Sequence, residues 1–287
     1  LHLIVLFTDS TKYSYSIFVW MEEAKQEYGD MFLGVYRFDE IGGNQLDRGD
    51  SMIVENATDY ADAAAKYVGN WSLHIKHYLN FTDEIFTADY GLYWFDYKAG
   101  YSAVFAEFGW NFSRQVHIAL CRGAARAQNK TWGAIVTWTY TDAPYIETGS
   151  ELYDDLILAY DAGAKYAVVF SYPTIEGRYG ILAEEHFDAL QSFWNHIQSN
   201  RPSLVVDEEV KTAYVLPPDY GFGFRRPDDT IWGLWPANEL SAKVWNDVNM
   251  LMDKYDVGFD VVYDEPEFTD AVKRRYDRLI FWNETVT

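Results

Sequence analysis

The sequence is short of cysteine, of basic residues and of long apolar runs, and each shortage excludes something. Cys121 is the only cysteine among 287 residues, so no intrachain disulfide forms. No stretch reaches the roughly 18 unbroken apolar residues that a membrane-spanning helix requires. Lys and Arg number 23 against 44 Asp and Glu, a net charge of −21 that repels phosphate backbones and excludes nucleic acid as a natural partner. Neither a Gly-x-Ser-x-Gly elbow nor a Gly-Lys-Ser/Thr phosphate loop occurs. The six histidines are scattered. His74 and His77 share a helical stretch, but nothing completes a zinc set, so neither metal nor cofactor is expected.

What is abundant points outward. Asn-x-Ser/Thr triplets stand at Asn56, Asn70, Asn80, Asn111, Asn129 and Asn283, none with proline in the middle. With 12 Asn, and 29 Ser and Thr in 287 residues, chance would give roughly one. The excess predicts an exported or cell-surface glycoprotein. Sequon-rich and disulfide-free together suit an archaeal surface protein. The chain opens at Leu1 without Met or signal peptide and ends at NETVT, as a segment of a longer protein would.

Hydrophobic residues make up 49% of the chain and aromatics 18%, enough for a large core and for ring-lined ligand sites. Strand-length apolar runs at 3–8, 31–38, 84–89, 102–108, 133–140 and 166–172 alternate with helical periods near 11–27, 57–79, 112–128, 150–163 and 182–199. This alternation predicts a parallel sheet with helical crossovers, a barrel or a doubly wound sheet. The polar segment 200–211 marks a boundary, giving a barrel-like domain over 1–205 and an α/β segment over 206–287. In the latter, strands at 212–217, 257–264 and 278–282 alternate with helices at 239–255 and 267–276. Gly221-x-Gly223 reads as a turn, because no helix follows promptly.

In α/β barrels the reactive groups gather where strands end. That rule collects Asp9, Asp39, Glu40, Asp89, Glu107, Asp142, Glu147 and Glu176, among many aromatic residues. Carboxylates among rings suit a sugar: rings stack on C–H faces, and two carboxyls at the right separation cleave a glycosidic bond. Glu107 is the first candidate acid, with Phe105, Phe108 and Trp110 able to bury it. The alternative is a strand-end carboxylate paired with Arg114 or Arg122. Glu147 in the Pro-containing loop TDAPYIETGSE, or Glu40 before Gly42 and Gly43, is the partner carboxylate. Asp89, Tyr90, Tyr93, Trp110, Trp138, Tyr140, Tyr145 and Arg37 are the candidate substrate-binding residues, although Asp89 also suits a cap.

VFAEFGWN at a strand end, WGAIVTWTY on the next strand, and VKTAYVLPPDYG, VGFDVVYDE and RLIFWN in the tail resemble a (β/α)8 glycoside hydrolase. The tail is similar to the flavodoxin-like domain that follows the barrel in family 42 β-galactosidases. The resemblance implies that Glu107 is the acid/base. That clan places Asn directly before this Glu, whereas Ala106 stands here and Asn111 comes four residues later. The resulting expectation is a glycoside hydrolase acting on an extracellular carbohydrate. The competing expectation is a non-catalytic glycosylated surface or filament-forming protein, with homo-oligomer or surface assembly as its partners.

Overall fold

In the computed structural model, residues 3–6, 16–171, 180–199 and 210–286 are described. Within them, six strands form one parallel sheet: β1 (Leu3–Leu6), β2 (Phe32–Tyr36), β3 (Ile85–Asp89), β4 (Ala103–Phe108), β5 (Thr131–Val136) and β6 (Tyr166–Val169). Each pairs with its successor, in the order β1-β2-β3-β4-β5-β6. A doubly wound sheet reverses its strand order at a switch point; this one never does, so it winds in the barrel manner. The sheet is curled and open among the described residues. The crossovers are α1 (Ile17–Tyr28), α2 (Ile41–Asp47) with α3 (Tyr60–Tyr78), α4 (Tyr93–Ala99), α5 (Arg114–Ala127) and α6 (Gly149–Asp161), and α7 (Glu184–Ser199) follows β6.

The two-residue period of the strands sorts their side chains into two layers. On β4, Val104, Ala106 and Phe108 face the helices and join the main core, as do Ala134 and Val136 of β5. The alternating residues Ala103 and Phe105 face the other way. There they join Tyr36, Phe86, Ala88 and Ile135 in a separate small cluster on the inner face. Glu107 continues that inward series by two residues, which is why a carboxylate at the end of this strand points into the barrel-side layer.

Local chemistry sets the helix starts. Ser113 accepts from the backbone N–H of Val116 and begins α5. For α6 the cap is Thr148. Thr148 and Glu151 form a reciprocal capping box, two residues upstream of the expected start. The two short helices, α2 and α4, were not legible as periodic segments, because seven residues make barely two turns.

A second parallel sheet has the order β8-β7-β9, from β7 (Thr212–Leu216), β8 (Phe259–Tyr263) and β9 (Arg278–Phe281), with α8 (Glu239–Tyr255) and α9 (Asp270–Lys273) as connections. Helix α5 lies between the two sheets. A Cβ on Gly123 would stand 2.3 Å from the carbonyl oxygen of Val261, so only glycine lets the helix approach β8 this closely. Beside it, buried Arg122 donates to Asp260 and to the carbonyls of Val257 and Phe259. One hydrophobic core therefore runs continuously from the first sheet through the second. The turn expected at Gly221 and Gly223 packs against Trp232 and Asp229, with no helix start beside it.

Candidate active site

The loop leaving β2 carries the arrangement on which the site depends. Phe38 and Glu40 both adopt left-handed backbone conformations, with φ of 58° and 53°. Such conformations cost on the order of 1–3 kcal/mol each in non-glycine residues and persist where the surroundings enforce them. Here the enforcement is visible. Thr87 Oγ1 donates to Phe38 O at 2.8 Å, Tyr101 Oη donates to Arg37 O at 3.1 Å, and Glu40 N donates to Ala88 O at 3.0 Å. The double kink carries Asp39 and Glu40 over the inner layer, toward Glu107 on β4.

Helix α2 fixes Glu40 from the other side. Gly42 N and Gly43 N donate to the two carboxylate oxygens of Asp89, at 2.5 and 2.8 Å. A Cβ on Gly43 would meet the Tyr90 ring at 2.1 Å. The Gly-Gly pair thus lets a helix sit on Asp89 and Tyr90. Asp89 also accepts from the N–H groups of Tyr90 and Gly91 and is fully buried, so it is a scaffold residue joining α2 to the end of β3.

Glu107 is 5% exposed. Arg114 and Arg122, the two arginines expected to neutralise it, are engaged elsewhere: Arg114 with Glu147 and Asp155, Arg122 with Asp260. What faces Glu107 is acid. Burial first, then the charges of Glu40, Asp39 and Asp89, push its carboxyl well above the usual range. Its side chain is in hydrogen-bond contact with Glu40, a contact that raises Glu107 and lowers Glu40. Two carboxyls in contact need one proton between them, and Glu107 is the member that holds it. Glu40 is itself raised by burial and by the charge of Asp39. Asp39 stands at the rim, largely open to water. Partial burial lifts its carboxyl, the Tyr36 hydroxyl donates to it and pulls it down, and water screens it.

These groups line a cavity of about 370 Å³, together with Tyr36, Phe105, Ile135, Thr137, Trp138 and Phe170. A short way along the wall, Trp110, Thr139, Tyr140 and Pro144 line a shallower hollow of about 380 Å³. Trp110 N donates to Trp138 O at 2.9 Å, and Tyr145 packs edge-on against Trp138 with centroids 5.0 Å apart, so the aromatic wall is continuous.

Of the residues expected from sequence, the structure gathers Glu107, Glu40 and Trp138 at the cavity, with Trp110, Tyr140 and Tyr145 beside it. Glu147 is not brought in. It is buried behind the Trp138 loop, held by Arg114 and Asp155, with burial pushing its carboxyl up to about 8. Tyr93 is a core residue whose hydroxyl bonds His117 Nδ1 at 2.7 Å. Tyr90 donates to Asp47, and Arg37 donates to Tyr78. Asp9 and Glu176 lie outside the described residues. Asp39 and Tyr36 were visible as a strand-end acid and an accompanying aromatic, but nothing in the sequence marked the left-handed turn that unites them with Glu107. Among the described residues, no three His, Cys, Asp or Glu side chains are arranged so that they could hold a metal ion.

The fold has solved counterparts. GH5_18 from Streptomyces cattleya, in complex with GlcNAc, is similar at a TM-score of 0.53, with 12% identity over 92% of this chain and 70% of that one. A variant of the same hydrolase in complex with Manβ1-4GlcNAc gives a TM-score of 0.52 at the same identity and coverage. The fold is of the (β/α) glycoside-hydrolase type. At 12% identity the likeness is one of fold, and it points neither to family 42 nor to a flavodoxin-like domain. No protein-family model and no curated protein sequence matches the chain.

Proposed function

We propose that the protein is a glycoside hydrolase in which Glu107 is the general acid. The observation that carries this reading is a carboxyl whose hold on its proton is strengthened well beyond the usual range, by burial first and then by the carboxylates that face it, on the wall of an aromatic-lined cavity. Such a group can deliver a proton to a leaving glycosidic oxygen. Glu40, which the kinked β2 loop presents to Glu107, is the second carboxylate. Trp138, with Trp110 and Tyr140 further along, offers rings for sugar C–H faces. The neighbouring fold in complex with GlcNAc and with Manβ1-4GlcNAc supports a carbohydrate as the ligand.

Glu40 and Glu107 stand as hydrogen-bond partners. Cleavage therefore requires the glycosidic oxygen to enter between them and take the proton that Glu107 now shares with Glu40. This same contact is what favours the second reading, a non-catalytic glycosylated surface or filament-forming protein that keeps the barrel-type fold as a scaffold. All six sequon asparagines are exposed, which supports glycosylation and an extracellular location under either reading. Asn111 stands next to Trp110, so a glycan there would crowd the mouth and favour the second.

The deciding experiment compares wild type with Glu107→Gln on a panel of aryl glycosides and oligosaccharides. The hydrolase reading expects a loss of roughly 10²–10⁴-fold in rate. Equal rates would remove Glu107 from any mechanism.

A further inference from the structure

The opposite side of the molecule carries charge of the other sign. At the N-terminal ends of β7 and β9, Arg126, Lys211, Arg274 and Arg275 line a cavity of about 350 Å³, with Tyr276 and Asp277 completing its wall. The chain as a whole carries a charge of −21, so four cations around one small hollow run against the background.

Arg126 is committed to the fold, but the other three cations are not. Asp260, the buried acid behind the cavity, already takes two guanidiniums: Arg122 at 2.7 Å and Arg126 at 2.8 Å, with the Tyr276 hydroxyl as a further donor at 2.8 Å. Among the described residues, Lys211, Arg274 and Arg275 make no ion pair. Nor are they on loose chain. The backbone N–H groups of Asp277 and Arg278 both donate to Lys211 O, at 2.8 and 3.0 Å, which ties the end of α9 to the start of β7. Arg274 N and Arg275 N are bonded back to Asp270 O and Val272 O. The side chains of Lys211, Arg274 and Arg275 therefore leave a backbone that is fixed before any ligand arrives, which reduces the ordering cost of binding.

We propose that this hollow is a binding site for a small multiply charged oxyanion, the phosphate or sulfate group of a soluble compound. Among the described residues, two arginines and a lysine without ion pairs on the lining of one concavity, against the single acid Asp277, match the donor needs of such a group. Soluble ligands are favoured over membrane headgroups, because a molecule of this net charge is repelled far more strongly by an extended anionic surface than by a single small ion. The site is separate from the Glu107 cavity and does not depend on the hydrolase reading.

Titration calorimetry of the full chain with inorganic pyrophosphate at low salt tests it. Saturable binding is expected, weakening as NaCl rises. The Arg274→Glu/Arg275→Glu double variant should bind roughly tenfold more weakly or worse, and Lys211→Gln should also weaken binding. Both arginines are exposed, so thermal melting should be unchanged and serves as the folding check. Lys76→Glu, an exposed cation on α3, should bind as wild type. Absence of saturable binding, equal affinity in the double variant, or equal weakening by Lys76→Glu would each overturn the proposal. Phosphatidic-acid vesicles should not sediment the protein. Sedimentation that the double variant abolishes would overturn the assignment to a soluble ligand.

Discussion

Glu107 and Glu40 meet carboxyl to carboxyl, one from the end of a regular strand and the other from a left-handed turn on the second strand away from it in the sheet. Neither is ion-paired with a cation among the described residues. Burial and this contact strengthen the hold of Glu107 on its proton, and the predictions below follow from that and from the groups that support it.

Stability should fall as pH rises through neutrality. Glu107, Glu40, Asp39, Asp89 and Glu147 all have carboxyls raised in the folded protein, Asp89 to about 7 and Glu147 to about 8. Between about pH 4, where free carboxyls titrate, and these raised values, the folded chain binds more protons than the unfolded one. The stabilising contribution of Asp89 and Glu147 is thus complete below about pH 4 and is lost as pH passes about 7 to 8, and the other raised carboxyls act in the same direction. Asp260 acts oppositely: its two arginines lower it, and its contribution is lost on acidification. Urea unfolding from pH 4.5 to 8.5 should show a falling midpoint, and Glu107→Gln should flatten the fall.

Arg114 supports the aromatic wall. Its guanidinium donates to the carbonyls of Gly109, Trp110 and Phe112 while pairing with Glu147 and Asp155. Arg114→Ala should cost about 3 kcal/mol by leaving two largely buried acids without their counter-charge. Glu147→Gln, which keeps the shape and removes an acid outside the cavity, should leave hydrolysis within about threefold of wild type, since a group that does not touch the reacting atoms contributes little to proton transfer. Thermal melts and rate assays on the two variants separate the roles.

Gly43→Ala should displace α2, because the added methyl meets the Tyr90 ring. Overpacking of this kind typically costs about 1–3 kcal/mol. The change also moves Glu40, so activity should fall further than stability alone explains. Comparison with Leu73→Ala, a truncation on the exposed face of α3, controls for general weakening.

The cavity's charge predicts its preference among sugars. With Asp39, Glu40 and Glu107 on the wall and no cation lining it among the described residues, neutral glycosides should be favoured over uronates of the same shape. Paired aryl glucosides and glucuronides measure this directly, and a preference for the uronate would contradict the electrostatic account.

Much of this was readable in the chain before folding, and the reasons are local. The apolar runs around Ile85, Val104 and Ile135 are strand-like because parallel strands buried on both faces need little polar alternation. Their helices are long enough to show a period. Glu107 was legible because the inward alternation of Ala103 and Phe105 points to it. Its partner was not. Sequence position could not separate Glu40 from Glu147, since what decides is the left-handed backbone at Phe38 and Glu40 and the docking of α2 on Asp89. Both depend on contacts far along the chain. Tyr93 illustrates the converse error: an aromatic near a strand end that the fold uses as core.

The most direct measurement is a carboxyl titration by NMR on protein carrying carboxyl-labelled glutamate, in wild type and Glu107→Gln. Apart from Glu147 in the Arg114 cluster, the account predicts a glutamate whose titration lies well above the usual range near 4.3. That resonance should vanish in Glu107→Gln, while a second carboxyl, that of Glu40, changes its titration in the variant. If every glutamate outside the Arg114 cluster titrates in the ordinary range, and Glu107→Gln leaves the others unmoved, the shared-proton site does not exist.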